Sequence, residues 1–115
     1  MLIAKPLPFD VSNADYRAGG GGVLLFGWAV VESSGAASAT FDVIDGVDAA
    51  TGTVLVPISL TMGQSTRDFL GAAPIHVQTG ITIGNVVGAV RGALFVTPLA
   101  EVPDEWLAVV TAGRT

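Results

Sequence analysis

Turn-forming residues interrupt this chain at short and regular intervals, and that spacing limits what it can fold into. Between the turns, apolar and polar residues alternate with a period of two, and no stretch of ordinary helix length has a helical period. Strands bounded by turn signals roughly every 8–12 residues are typical of sandwiches and barrels. We therefore predict an all-β fold, an antiparallel β-sandwich or jelly-roll-like barrel with an extended N-terminal arm and a short C-terminal tail.

The strongest predicted strand runs from Val23 to Glu32 and is apolar on both of its alternating faces, as in a strand covered on both sides. The segment from Thr53 to Thr61 also alternates, but Pro57 cannot donate to a sheet ladder, which predicts an edge or bulged strand. Three further strands are predicted at Ile75–Thr79, Ile81–Val87 and Ala89–Thr97, and residues 66–71 are predicted to form a loop.

The length of 115 residues indicates a single domain with three parts. Residues 1–21 are predicted to be an extended arm, because Pro6 and Pro8 hold an extended path and Gly19–Gly22 resemble a flexible hinge. Residues 22–98 form the predicted core. Residues 99–115 form a tail around Trp106, either a short helix or a last strand, that docks on its own domain or on a neighbouring subunit.

The composition indicates a protein that packs against other proteins. Half of the residues are apolar and only 13% are charged, which is more apolar side chain than a small domain can easily bury alone. The net charge is −5 and the five basic residues are scattered, so we expect no nucleic-acid partner. The start lacks a signal-peptide pattern and the longest apolar run is too short for a membrane helix, so we expect synthesis in the cytoplasm and no membrane partner.

The residues that usually carry catalysis are scarce. The chain has no cysteine and a single histidine, His76, which alternation places on the outside of its strand. Glu32 is the most interesting single acid because it ends an apolar strand, but no second carboxylate is placed opposite it by the sequence. We expect no enzyme activity, no catalytic residues and no cofactor.

An acidic loop offers one candidate cation site. Asp42, Asp45 and Asp48 supply the oxygen ligands that calcium prefers, but their spacing does not match a calcium-binding loop. The sequence favours a solvated hairpin turn, and no metal is predicted.

The large aromatic side chains are the best candidates for contacts between subunits. Aromatic residues and arginines are enriched where protein surfaces meet. They could also stack on sugars, which keeps a carbohydrate-binding sandwich open. The predicted interface residues are Phe9, Phe26, Trp28, Arg67, Phe69, Phe95 and Trp106.

Three short motifs resemble a pattern in small virion proteins of tailed bacteriophages. They are the strand ending in Glu32-Ser33-Ser34-Gly35, the acidic turn Ile44-Asp45-Gly46, and the loop Gly63-Gln64-Ser65-Thr66-Arg67 that leads to Asp68-Phe69. The resemblance covers roughly Gly22 to Val96 and leaves both termini without a counterpart.

The resemblance implies a structural role in a virion. It implies a capsid decoration (cement) protein that forms a homo-oligomer, with a trimer expected, binds the major capsid protein or other virion proteins, and resides in the virion. A small tail or head-fibre component and a carbohydrate- or receptor-binding β-sandwich remain the alternatives. The resemblance carries over no catalytic residues.

Overall fold

The computed structural model describes residues 4–70 and 73–99 of the chain, and within them every regular element is a β-strand. The nine strands are β1 (Lys5–Ser12), β2 (Tyr16–Gly20), β3 (Val23–Glu32), β4 (Ala39–Asp45), β5 (Thr53–Leu60), β6 (Ser65–Phe69), β7 (Ile75–Val77), β8 (Gly80–Val87) and β9 (Ala89–Pro98). These residues contain no helix long and apolar enough to cross a membrane.

The strands form two antiparallel sheets that pack face to face. Sheet A has the order β1-β9-β3-β6, with β7 also paired to β3, and sheet B has the order β2-β8-β4-β5. β6 pairs with Gly27–Val31 of β3 and β7 pairs with Val23–Leu25, so the two short strands lie end to end along the same edge of β3. They act as one interrupted edge strand.

If β6 and β7 are counted together, the sandwich has eight strands in two sheets of four. Consecutive strands lie in opposite sheets, except for β4 and β5, which pair within sheet B, and this is the path of a jelly roll. The prediction of an all-β antiparallel sandwich is confirmed. Each sheet turns one face to the shared core, where Phe9 and Phe41 meet edge to face with ring centroids 5.9 Å apart.

The loops gather at two opposite ends of the sandwich. The Glu32 end holds the connections β1–β2, β3–β4, β5–β6 and β8–β9, and the Asp45 end holds β2–β3, β4–β5 and β7–β8. Each end is named for the buried acidic residue that lies there at the end of a central strand. Glu32 is the last residue of β3, and Asp45 is the last residue of β4.

The predicted arm is wrong for residues 5–20. β1 pairs with β9 over its whole length and β2 pairs with β8, so this segment supplies one strand to each sheet. Phe9 and Val11 are buried in the core, and an edge position lets β1 accommodate its prolines because one side of the strand needs no ladder hydrogen bonds. The core therefore begins at Lys5 and not at residue 22.

The glycine run is not a free hinge. Gly19 and Gly20 lie within β2, and Gly21 approaches the β7–β8 turn so closely that an added Cβ would lie 2.1 Å from the carbonyl oxygen of Gln78. A glycine is needed at position 21 because two backbone segments touch there.

The segment predicted as a loop at 66–71 is mostly strand, since β6 spans Ser65–Phe69. The edge prediction for β5 is confirmed: the strand lies at the border of sheet B, and its register against β4 shifts beside Val56. The predicted tail from residue 100 onward, with Trp106, lies outside the described residues.

Candidate protein-binding face

Four of the seven predicted interface residues come together on one side of the molecule. Arg67 and Phe69 lie on β6, Phe95 lies on β9, and Phe26 lies on β3, all outside the core that the two sheets enclose. We call the side of sheet A that is turned away from this core face A.

Two of the predicted interface residues are buried instead. Phe9 is 6% exposed and Trp28 is 8% exposed, and both pack in the core between the sheets. Their side chains are not available to a partner, so these two assignments are wrong. Trp106 lies outside the described residues.

An aromatic pair lies on face A, where residues of β6, β3 and β9 pair side by side. Phe69 and Phe95 both pair with Gly27 of β3, one from each side, and their rings stack with centroids 5.5 Å apart and planes 21° apart. A Cβ at Gly27 would lie 2.2 Å from the carbonyl oxygen of Asp68 and 3.0 Å from the Phe69 ring. The glycine thus lets the two rings close over the strand between them.

A β-bulge decides which residues reach this face. Leu25 pairs with Val96 and Gly27 pairs with Phe95, which leaves Phe26 as the extra residue of β3. The Phe26 carbonyl accepts a hydrogen bond of 2.8 Å from the Leu70 N–H, where the β6–β7 edge is interrupted. After the bulge the alternation changes phase, so Trp28 points into the core and Gly27 points out.

Next to the aromatic row, face A is flat. Ala29 of β3 pairs with Ala93 of β9, and Pro8 of β1 pairs with Ala93 from the other side. Side chains of this size let another surface approach the sheet closely. Phe69 nonetheless remains 58% exposed, which leaves a large aromatic surface in water.

Two arginines flank the apolar part of face A. Arg67 pairs with Ala29 on one edge, and Arg91 lies between Val31 and Asp10. Both are exposed, and no hydrogen bond or ion pair joins either guanidinium to any residue in the described part of the chain. Face A therefore offers two free cationic groups and a single carboxylate, that of Asp10.

Glu32 has a different role from the one its position suggested. Its carboxylate is 2% exposed and accepts hydrogen bonds from Ser34 N (2.9 Å), Ser34 Oγ (2.6 Å), Gly35 N (2.7 Å) and Gly63 N (3.0 Å). The Ser34 hydroxyl above all, with the backbone donors, lowers the pKa of Glu32 from 4.5 to about 2, although burial acts in the opposite direction. An ionised carboxylate held in this way joins the β3–β4 and β5–β6 loops and cannot serve as a general acid near neutral pH.

Asp45 likewise joins two segments of the chain through hydrogen bonds, at the opposite end of the sandwich. Its carboxylate accepts hydrogen bonds from Gln78 N (3.0 Å), Thr79 N (2.8 Å) and Gly80 N (3.4 Å), which ties β4 of sheet B to the turn where the chain crosses from sheet A. Two of the three resemblance motifs thus contain the buried carboxylates, and the third contains Gly63, a partner of Glu32 with φ of 71°.

The acidic loop does not gather its carboxylates. Asp42 accepts a hydrogen bond from the Asn85 side chain, Asp45 holds the β7–β8 turn, and Asp48 accepts from the N–H and hydroxyl of Thr51. The Thr51 donors lower the pKa of Asp48. No group of three metal-binding side chains occurs within residues 4–70 and 73–99.

His76 is half-buried rather than fully outward. It pairs with Leu24 of β3, and its Nδ1 is buried with no hydrogen-bond partner among the residues of the described strands and loops.

The loop of residues 46–52 covers part of the outer side of sheet B. Thr82 Oγ1 donates to the Gly46 carbonyl at 2.8 Å, and a Cβ at Gly84 would lie 2.9 Å from the Ala49 side chain. We call this covered outer side of sheet B, with its loop, face B. It exposes Val47 (51%), Val54 (48%) and Val87 (63%) beside Asp42 and Asp48.

The chain matches no protein-family model, no curated protein and no solved structure.

Sequence reasoning found the residues of face A but not their arrangement. Aromatic residues near Arg67 were visible as candidates, whereas the bulge at Phe26 and the pairing of β6 with β3 depend on contacts between distant segments. The role of Glu32 was missed although Ser34 and Gly35, which supply three of its four hydrogen bonds, follow it directly in the sequence; only the fourth donor, Gly63, is 31 residues away.

Proposed function

We propose that this protein is a structural component of a bacteriophage virion, a decoration protein that assembles with copies of itself on a shell of major capsid protein. The single observation that carries the proposal is face A, a flat sheet surface with a stacked Phe69–Phe95 pair and two free guanidinium groups. Exposed aromatic and arginine side chains around small residues are the composition of protein-binding surfaces.

The fold supports the proposal to a limited degree. Jelly rolls are recurrent in viral capsid and lectin domains, but a fold by itself does not determine function. Of the four acids that sequence analysis considered for chemistry or cations, the two buried ones, Glu32 and Asp45, both hold loops through hydrogen bonds. This use of the acids is that of a rigid structural domain.

The proposal is tested with shell particles of the major capsid protein encoded in the same genome. We expect saturable binding of the protein to these particles and a higher particle melting temperature when it is bound. Phe69→Ser should weaken the binding, because it removes the most exposed part of the aromatic pair.

Met62→Ser provides the matched control. Met62 is 62% exposed but lies in the turn after β5, away from face A, so its replacement should leave binding unchanged. Failure of the protein to bind the particles, or the lack of a capsid gene in its genome, would overturn the proposed function. Equal weakening by both variants would remove face A as its basis.

A further inference from the structure

Face A is apolar at its centre, where Ala29, Ala93 and Phe95 are half-buried, and its charges restrict what can cover it. Arg67 and Arg91 are free and stand against a single carboxylate, Asp10, although the chain as a whole carries a net charge of −5. A partner surface that places carboxylates near the two guanidinium groups would be attracted, and one that places cations there would be repelled.

Two copies joined through face A on both sides would be unfavourable. A two-fold contact is made by the same patch on each subunit, so it would bring four arginines together with only two aspartates. The charge excess lies at the rim of the apolar area, where it would oppose association at ordinary ionic strength.

Face B has the complementary properties. It carries Asp42 and Asp48 against a single cation, Arg17, whose guanidinium lies beside Gly80. It also exposes the three valines Val47, Val54 and Val87, which are half of the large apolar side chains exposed in the described part of the chain. Valines beside aspartates on one face thus match phenylalanines beside arginines on the other.

We propose that face A of one copy binds face B of the next copy. This inference rests on the proposed function, since it identifies which protein covers face A within the assembly. The contact joins two different surfaces, so successive copies form a ring if the rotation between them closes, and a filament if it does not.

Two charge variants of the full-length chain test the contact in solution. The face A variant carries Arg67→Glu and Arg91→Glu, and the face B variant carries Asp42→Lys and Val87→Lys. All four positions lie on outer faces, away from the core cluster, so circular dichroism should show that both variants keep the fold. Light scattering after size-exclusion chromatography then measures the molar mass.

The wild-type protein should have a mass at least twice that of the 11.6 kDa chain, and each variant alone should fall to the monomer mass. An equimolar mixture of the two variants should associate again, because the intact face A of one meets the intact face B of the other. Raising NaCl from roughly 0.05 to 0.5 M should weaken wild-type association about tenfold or more.

The remaining outcomes overturn the inference. A monomeric wild-type protein shows that no copy covers face A, and a face B variant that still dimerises shows that face A binds itself. A mixture that stays monomeric excludes the pairing of the two faces. None of these results prevents binding to shell particles, so the failure of this inference and the failure of the proposed function are measured separately.

Discussion

The two sheets of the sandwich share one core but have opposite outer surfaces. The outer side of sheet A presents stacked phenylalanines, alanines and two free arginines. Sheet B is partly covered by its own 46–52 loop, and the strand surface that remains carries the polar residues Thr40, Asp42, Ser59 and Asn85 beside the exposed valines Val54 and Val87.

The same kinds of residue serve different purposes in the two sheets. Each sheet has a glycine on its outer side, a carboxylate at the end of its central strand, and an exposed apolar side chain. In sheet A these are Gly27, Glu32 and Phe69. In sheet B they are Gly84, Asp45 and Val87. Matched substitutions therefore measure how much of each sheet belongs to the fold and how much is left for a partner.

The glycines should give the largest contrast. An added Cβ at Gly27 meets the backbone oxygen of Asp68 at 2.2 Å, so strand β6 must move, and we expect Gly27→Ala to lower the free energy of unfolding by about 3 kcal/mol. At Gly84 the nearest atoms are the end of the Ile44 side chain (2.6 Å), which can shift, and the Cβ of Ala49 (2.9 Å), which can move only with the surface loop that carries it. Gly84→Ala should cost about 1 kcal/mol or less, because alanine also reduces the entropy of the unfolded chain.

Denaturant unfolding of both variants measures this difference. Gly27→Ala should lose more unfolding free energy than Gly84→Ala. If Gly84→Ala loses more, the loop over sheet B is more rigid than the β6 edge of sheet A. Unchanged stability in Gly27→Ala would mean that β6 is not held against β3 as the structure has it.

Glu32 should make stability depend on pH in the acid range. Its pKa is about 2 in the folded protein and 4.5 ordinarily, so the unfolded chain binds a proton more readily than the folded one. The contribution of the ionised carboxylate is therefore complete above about pH 4.5 and is lost as the pH falls toward 2. Unfolding free energies of the wild type and of Glu32→Gln should differ most above this window and converge below it.

Ser34→Ala tests the same pH dependence of stability by removing one hydrogen bond to Glu32 and leaving its carboxylate in place. The Ser34 hydroxyl is the largest cause of the lowered pKa, so its removal should raise the pKa of Glu32 and move the acid loss of stability to higher pH. If the profiles of the wild type and Ser34→Ala coincide, the hydroxyl is not what holds this carboxylate ionised.

The sequence predicted the sandwich because apolar patterning and turn signals are local properties, and the strands they predicted are present as β3, β4, β8 and β9. The prolines of β1 hid an edge strand even though Leu7, Phe9 and Val11 alternate correctly. β6 was hidden because Ser65-Thr66-Arg67-Asp68 has no apolar alternation of its own and is a strand only through its pairing with β3. A strand that depends on its neighbour for its conformation leaves little trace in local sequence.

The sequence indicated which residues lie on face A but not how they are arranged there, for a related reason. An unbroken alternation through Val23–Glu32 would put Phe26 and Trp28 on one face, whereas the bulge turns Trp28 into the core and leaves Phe26 outside. Bulges depend on the register between two strands, and one residue of shift exchanges the faces of everything that follows.

The smallest effect concerns the exposed side chains themselves, and it separates folding from binding. Phe69→Ala removes a stacked aromatic pair and should lower the free energy of unfolding by about 1 kcal/mol, since such pairs contribute that much beyond their buried area. Val87→Ala on sheet B removes two methyl groups from a side chain that is 63% exposed and should change stability by no more than about 0.5 kcal/mol. Both are measured by denaturant unfolding at low protein concentration, where association does not contribute. If Phe69→Ala lowers the free energy of unfolding by several kcal/mol, the aromatic pair belongs to a second hydrophobic core on face A. A small decrease leaves the exposed surface of the pair available for a partner.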